Sequence, residues 1–115
     1  TYSETDSTGS GITLIAIFSR DGGYQDPIKL GADELGEKGI QAEDIGKKAA
    51  NKLIQEINSK APVDKHLADN LIPLLALTKG EIKTSEITNH TKTNIYTVEK
   101  FSENKFHIEA NLISV

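Results

Sequence analysis

The feature that most constrains the fold is a long amphipathic segment, Ala42–Asn58. Its apolar side chains recur three or four positions apart, which predicts an α-helix with one face on a core. Glu43 and Asp44 fall in its first turn, where the partial positive charge of a helix start favours acids. The predicted inward face consists of Ile45, Ala49, Leu53, Ile54 and Ile57. Such a helix needs an apolar sheet or helix to cover, and the rest of the chain must supply it.

Strand patterns on both sides of this helix supply that surface. Residues 12–18 are apolar at nearly every position, which predicts a strand covered on both faces. Residues 28–32 can return as its antiparallel partner after a turn cluster at residues 20–27. Residues 81–87 and 105–115 alternate between apolar and polar side chains, as in half-buried strands. We therefore expect one sheet of four strands.

A second helix is predicted over residues 64–77, with Asp64 as its N-cap and Gly80 closing it. Pro73 lies well inside it and removes one helical hydrogen bond, so a kink is expected. The predicted buried stripe consists of Leu67, Leu71, Leu74 and Leu75, with Ile72 beside it.

A third, short helix is predicted over residues 93–101, with Ile95, Val98 and Phe101 facing inward. The element order is thus β-β-α-α-β-α-β. Helices interleaved with strands predict the α/β class, with a mixed four-stranded sheet covered by helices. We place this unit at residues 12–115 and a polar lead-in or linker at residues 1–11.

Composition excludes several classes of protein. The 115 residues include no Cys, so disulfides and thiolate metal sites are excluded. No apolar run approaches the roughly 20 residues of a membrane span, so we expect no membrane partner. The absence of Cys fits a reducing cytoplasm, which is the location we expect. The net charge of −4 argues against a bulk electrostatic grip on nucleic acid, so any RNA contact must be local. Because Met is absent and the first residues are polar, we expect a piece of a longer protein.

One histidine in a polar stretch is the first candidate for chemistry. His90 follows a predicted strand and precedes a helix expected to begin near residues 91–93. A helix start presents unpaired N–H groups and partial positive charge, which suit a phosphate that an imidazole there can contact or attack. On spacing alone, a solvated surface histidine is the more common case, and we interpret His107 in the last strand in that way.

Three segments shift this balance because each resembles a motif of one enzyme family. They are LGADELGEKG at residues 30–39, HLADNLIPLLAL at residues 66–77 and EITNHTKTNIYTVEKF at residues 86–101. In order and spacing they resemble the RNA 3′-terminal phosphate cyclases. The family enzyme contains three related sheet-and-helix units, similar to the C-terminal fold of translation initiation factor three, and a smaller inserted domain. The resemblance implies that this chain is the last of those units.

The resemblance implies a three-step, ATP-dependent reaction. A histidine attacks the α-phosphate of ATP, becomes adenylylated and releases pyrophosphate. AMP then passes to an RNA 3′-phosphate, and the neighbouring 2′-hydroxyl closes a 2′,3′-cyclic phosphate and expels AMP. His90 matches the nucleophile, and a divalent metal, Mg or Mn with unassigned ligands, is expected beside ATP. The implied partners are an RNA 3′-phosphate end and the N-terminal remainder of the enzyme.

The family's nucleotide-contacting motif falls on His66, Asp69 and Asn70. His66 replaces a tyrosine seen in some members, and Asn70 is one methylene shorter than the common glutamine. Asp69 is expected to bind ribose, or a metal through water. Because the family's other nucleotide and RNA groups lie upstream, we expect residues 1–115 alone not to cyclise RNA.

Three alternatives remain at this point. A catalytically inactive cyclase-like protein acting in ribosome biogenesis would share the fold but lack the nucleophile, so the presence of His90 favours the enzyme. A generic binding module would need three motif matches by coincidence. Enolpyruvyl transferases use similar units, but their substrate-binding patterns are not evident in this sequence.

Overall fold

The computed structural model describes residues 9–19 and 27–115. Its helices and strands confirm the predicted α/β class and follow one another in nearly the predicted order. The predicted lead-in up to residue 8 and the predicted turn cluster at residues 20–26 lie outside the described residues. The elements are β1 (Gly11–Phe18), β2 (Ile28–Leu35), α1 (Ala42–Asn58), α2 (Lys65–Thr78), β3 (Glu81–Lys83), α3 (Asn89–Phe101), β4 (His107–Glu109) and β5 (Leu112–Ser114).

The strands form two sheets, so the prediction of a single four-stranded sheet is wrong. β1 and β2 pair antiparallel as one ribbon, and β3, β5 and β4 form a separate antiparallel sheet in that spatial order. Residues 105–115 were expected as one strand, but the chain reverses at Ala110, whose φ of 50° is left-handed. A two-residue loop therefore joins β4 to β5 as a hairpin. His107 lies in β4 and is exposed, as predicted.

α1 covers one face of the β1–β2 ribbon. Leu30 and Ala32 of β2 and Ile45 and Ala49 of α1 are buried, and the two elements are in contact. The opposite face of β1 is uncovered in the described part of the chain, where Ile15 is 63% exposed. The prediction that this strand is covered on both faces is therefore wrong, because a single helix shields only one side of a two-stranded ribbon.

α2 and α3 pack together over the three-stranded sheet, around Ile72, Leu75, Ile95 and Ile113. The predicted stripe of α2 is wrong in part, since Leu67 is 41% and Leu74 is 54% exposed. The buried face instead combines the small residues Ala68 and Ala76 with Ile72 and Leu75. Phe101, predicted to face inward, is 89% exposed at the end of α3.

The segment between β3 and α3 ties the linker before α2 to the sheet. β3 ends at Lys83, so the strand predicted over residues 81–87 is shorter than expected. Buried Thr84 forms an isolated parallel bridge with Val63, and the Ser85 amide donates to the Val63 carbonyl at 3.0 Å. This junction holds the start of α2 beside the segment that leads into α3.

The ends of α2 follow the predicted capping at one end only. Asp64 is the N-cap, as predicted, and its carboxylate accepts hydrogen bonds from the amides of His66 and Leu67. The helix closes on Lys79 in the left-handed conformation, with φ of 53°, and not on Gly80. Lys79 donates its amide to the Leu75 carbonyl at 2.8 Å, which satisfies a carbonyl of the last turn.

Candidate active site

The start of α3 is defined by Thr88. Its backbone is extended, and its hydroxyl accepts a hydrogen bond from the Thr91 amide at 3.1 Å, as an N-cap does. The helix therefore begins at Asn89, and His90 is its second residue. The prediction that His90 lies in a turn ahead of the helix is wrong. Threonines at positions 88, 91 and 93 can each cap a helix, so the sequence alone does not choose among them.

His90 is exposed on this first turn. At a helix start the first amides have no intrahelical acceptor, and here the Thr88 hydroxyl takes only the Thr91 amide. The amides of Asn89 and His90 have no protein acceptor among the residues in view. The imidazole thus stands beside two free donors and the positive end of a thirteen-residue helix, a combination that suits a phosphate.

The side chain of Asp69 in α2 holds the first turn of α3 in place. Its Oδ1 accepts a hydrogen bond from the Thr91 hydroxyl at 2.5 Å and another from the Thr88 hydroxyl at 3.2 Å. Thr91 is fully buried, so its hydroxyl requires an internal acceptor. The two threonines flank His90, and the carboxylate therefore sets the position of the turn that presents the imidazole. The motif that points to His90 does not single out these threonines, although they form a Thr-x-x-Thr frame around it.

The main chain of Asp69 is held as firmly as its side chain. In a regular helix its carbonyl would accept from residue 73, but Pro73 has no N–H. The Asn94 side-chain amide of α3 donates to this carbonyl at 3.0 Å instead. α2 is continuous through Pro73 from Lys65 to Thr78. The hydrogen bond that the proline removes is thus replaced by one between the two helices of the site.

The other predicted nucleotide-binding residues lie at the start of α2. His66 and Asn70 are both exposed there. The Asn70 side-chain amide donates to the His66 carbonyl at 2.9 Å, one helical turn away. The structure therefore brings Asp69 to the turn that carries His90, and places His66 and Asn70 on the neighbouring turn of α2. Their roles in nucleotide binding stay predictions.

Candidate metal ligands do not cluster in the part of the chain that the structure describes. Within residues 9–19 and 27–115, no group of three or more His, Cys, Asp and Glu side chains is arranged to hold a metal ion. Nor does any helix in these segments have the length and apolar character that crossing a membrane requires.

A model of the RNA 3′-terminal phosphate cyclase (RTC) family matches residues 8–108, which include both helices of this site. The chain belongs to the RNA 3′-terminal phosphate cyclase family. The predicted resemblance is thereby confirmed over most of the chain. Both motif segments that supply His66, Asp69 and His90 fall within the match.

Individual members of the cyclase family are similar over nearly the whole chain. An RNA 3′-terminal phosphate cyclase of Thermococcus onnurineus is 42% identical over 104 residues, and one of Methanosarcina acetivorans is 48% identical over 104 residues; each match covers 90% of this chain. A Methanosarcina barkeri cyclase is 46% identical over 107 residues. The chain spans only 26–29% of the length of these three relatives.

Proposed function

We propose that this chain is the C-terminal part of an RNA 3′-phosphate cyclase that uses ATP to convert an RNA 3′-phosphate into a 2′,3′-cyclic phosphate. The observation that carries the proposal is the exposure of His90 on the first turn of α3, between two threonines that Asp69 holds. Membership in the cyclase family supports the same reaction.

In the first step the imidazole of His90 attacks the α-phosphorus of ATP. A nitrogen–phosphorus bond forms, the bond from that phosphorus to the bridging oxygen breaks, and pyrophosphate leaves with the bonding electrons. The nitrogen that attacks must be unprotonated, so that its lone pair is free to form the new bond. The amides of Asn89 and His90 can offset charge on the transferring phosphate. An oxygen of the RNA 3′-phosphate then attacks the phosphorus of this AMP group, and the nitrogen–phosphorus bond to His90 breaks. Finally, the neighbouring 2′-hydroxyl attacks the phosphorus of the RNA 3′-phosphate, which closes the 2′,3′-cyclic phosphate and releases AMP.

Asp69 acts in this proposal as a positioning residue. Because its Oδ1 is engaged by Thr88 and Thr91, its contribution is to hold the turn of His90 rather than to grip ribose with that oxygen. Its other carboxylate oxygen remains a candidate for a nucleotide contact. His66 and Asn70 are proposed to contact the nucleotide from the first turns of α2, where both side chains are exposed.

The remaining partners belong to the proposal as well. ATP and an RNA 3′-phosphate end are the substrates, the location is cytoplasmic, and the N-terminal remainder of the cyclase supplies the other nucleotide and RNA contacts. A divalent ion, Mg or Mn, is expected to travel with the triphosphate, since Mg²⁺ in such sites is held largely by substrate phosphates and water. Residues 1–115 alone are therefore expected to be inactive.

The test is adenylylation of the full-length cyclase that contains this chain. Incubation with ATP labelled on its α-phosphate is expected to give an acid-labile AMP adduct that is lost in His90→Ala. His107→Ala is the matched control, because His107 is also exposed but lies in β4, and its adduct should equal that of the wild type. Absence of an adduct in the wild type would refute the proposal and favour an inactive cyclase-like protein, whereas persistence of the adduct in His90→Ala would refute the role of His90 as the nucleophile.

A further inference from the structure

A small cleft lies where the β1–β2–α1 half of the molecule meets the start of α2. It is lined by residues 31–33 of β2, by Lys52 and Glu56 of α1, and by Lys65 and His66 of α2. Its volume is about 180 Å³. Whole small-molecule ligands occupy sites of roughly 300–1,000 Å³, so this cleft suits a single ring or group of a larger ligand.

Glu56 is the unexplained residue of this cleft. Its side chain is only 7% exposed. Its position continues the helical spacing of Ile45 and Ala49, so this acidic residue lies on the buried side of α1, where an apolar residue is expected. Its Oε2 is buried and has no hydrogen-bond donor among the residues that the structure describes. Buried carboxyl oxygens in folded proteins almost always have a donor, so this oxygen calls for one from outside the described residues.

The two lysines that line the cleft are engaged elsewhere. Lys52 pairs with Glu34 at 2.5 Å and donates to the Asp33 carbonyl at 3.1 Å. The hydrogen bond between these two charged groups lowers the pKa of the Glu34 carboxyl and raises the pKa of Lys52, because it favours the charged form of each. Lys65 lies 3.7 Å from Glu86. Glu34 also has a buried Oε2, but Lys52 satisfies it, whereas Glu56 has no such partner among the described residues.

We propose that Glu56 selects the base of the bound nucleotide by accepting a hydrogen bond from the exocyclic amino group of adenine. This inference rests on the proposed function, which puts a nucleotide beside His66 and His90. His66 lines the cleft, and Asp69, one helical turn further along α2, contacts the turn of His90. In this proposal the nucleotide places its α-phosphate at His90 and its base in the cleft, on the side of His66. Guanine and hypoxanthine place a carbonyl oxygen where adenine has the amino group, and that oxygen meets the Glu56 carboxyl as acceptor against acceptor.

The experiment compares AMP with IMP, which differs from AMP at that one group. Equilibrium binding to the full-length cyclase is expected to favour AMP by about ten- to a hundredfold, the range for one hydrogen bond that involves a charged group. In Glu56→Gln the amide oxygen still accepts from the amino group, while the amide nitrogen can donate to the carbonyl of IMP. The preference should therefore fall to within a few-fold of unity, mainly because IMP binds more tightly.

Glu43→Gln is the matched control. It makes the same chemical change in α1, at an exposed residue of the first turn, and should leave the AMP preference unchanged. Urea midpoints of both variants check that each is folded. If the wild type and Glu56→Gln prefer AMP over IMP by the same factor, the assignment of Glu56 is overturned.

Adenylylation of His90, measured in parallel, separates this inference from the proposed function. An adduct in the wild type, together with an unchanged preference in Glu56→Gln, leaves the cyclase proposal standing and refutes the role of Glu56. A Glu56-dependent preference without any adduct supports base selection in the cleft and refutes the catalytic proposal. If the wild type binds neither AMP nor IMP, base selection by Glu56 is refuted outright.

Discussion

The replacement of Asn94 by Ala tests how α2 and α3 are joined at the site. Pro73 leaves the Asp69 carbonyl without a helical donor, and the Asn94 side chain supplies one at 3.0 Å. Asn94→Ala removes that donor and leaves a half-buried carbonyl unpaired. A neutral hydrogen bond contributes about 0.5–1.5 kcal/mol and an unsatisfied buried group costs about 1–3 kcal/mol, so we expect unfolding free energy to fall by about 1–2 kcal/mol.

Asn94→Ala should lower the free energy of unfolding by less when residue 73 has an N–H group that can donate. Pro73→Ala restores an N–H that can reach the Asp69 carbonyl four residues earlier, as in a regular helix. Ala is about 3 kcal/mol more favourable than Pro in a helix interior, so this variant should be stabilised by up to that amount. In its background Asn94→Ala should cost less than about 0.5 kcal/mol, because the carbonyl then keeps a donor. The double-mutant cycle is therefore expected to show a coupling energy of about 1 kcal/mol between positions 73 and 94.

Urea unfolding of the wild type, the two single variants and the double variant measures that coupling. Asn104→Ala is the matched control. The Asn104 side-chain amide, just after α3, also donates to a carbonyl of α2, that of Ala76 at 2.8 Å, but this is not the carbonyl that Pro73 leaves without a donor. Its effect should add to that of Pro73→Ala. If Asn94→Ala costs as much in the Pro73→Ala variant as in the wild type, the two residues do not serve the same carbonyl.

Three further outcomes follow from contacts described above. Asp69→Asn keeps an oxygen that can accept from the Thr91 hydroxyl, so it should lower the urea midpoint and the adenylylation rate less than Asp69→Ala does. The Phe106 amide and Lys105 hold the pKa of Glu99 below its ordinary value of 4.5; this contribution to stability is complete above pH 4.5 and is lost as pH falls through the folded-state pKa. Acid titration of the urea midpoint should accordingly be shallower in Glu99→Gln. Phe101→Ser, at an 89% exposed position, should change the free energy of unfolding by no more than about 0.5 kcal/mol.

Local patterns in the sequence predict the helices well because capping and amphipathicity act within a few residues. The bounds of α1 agree with the prediction, and Asp64 caps α2 as expected. The same local signals fail where a choice depends on what packs nearby. Two faces of α2 carry apolar residues, and tertiary packing buries the one with Ala68 and Ala76.

The split sheet was not predictable from alternation alone. Residues 105–115 keep an apolar–polar alternation across the hairpin, and an Ala-Asn loop is not among the strong turn signals. The left-handed φ at Ala110 is a conformation that non-glycine residues rarely adopt. Pairing of β5 with both β3 and β4 stabilises this reversal, and that pairing is a tertiary effect.

The motif alone identifies the candidate nucleophile, but the groups that position it are evident only in the folded structure. One residue, Asp69, joins the two motif segments twice: its carboxylate holds the threonines on either side of His90, and its carbonyl takes the Asn94 amide that Pro73 makes room for. A proline inside a helix, which local propensity counts as a defect, thus creates an acceptor for the neighbouring helix. The separation in sequence between Asp69 and His90 hides this connection, so substitutions at Pro73 or Asn94 are expected to act on His90 chemistry without contacting it. An adenylylation rate that is unchanged in Asn94→Ala, despite the expected loss of stability, would show that the helix pair holds the fold but not the imidazole.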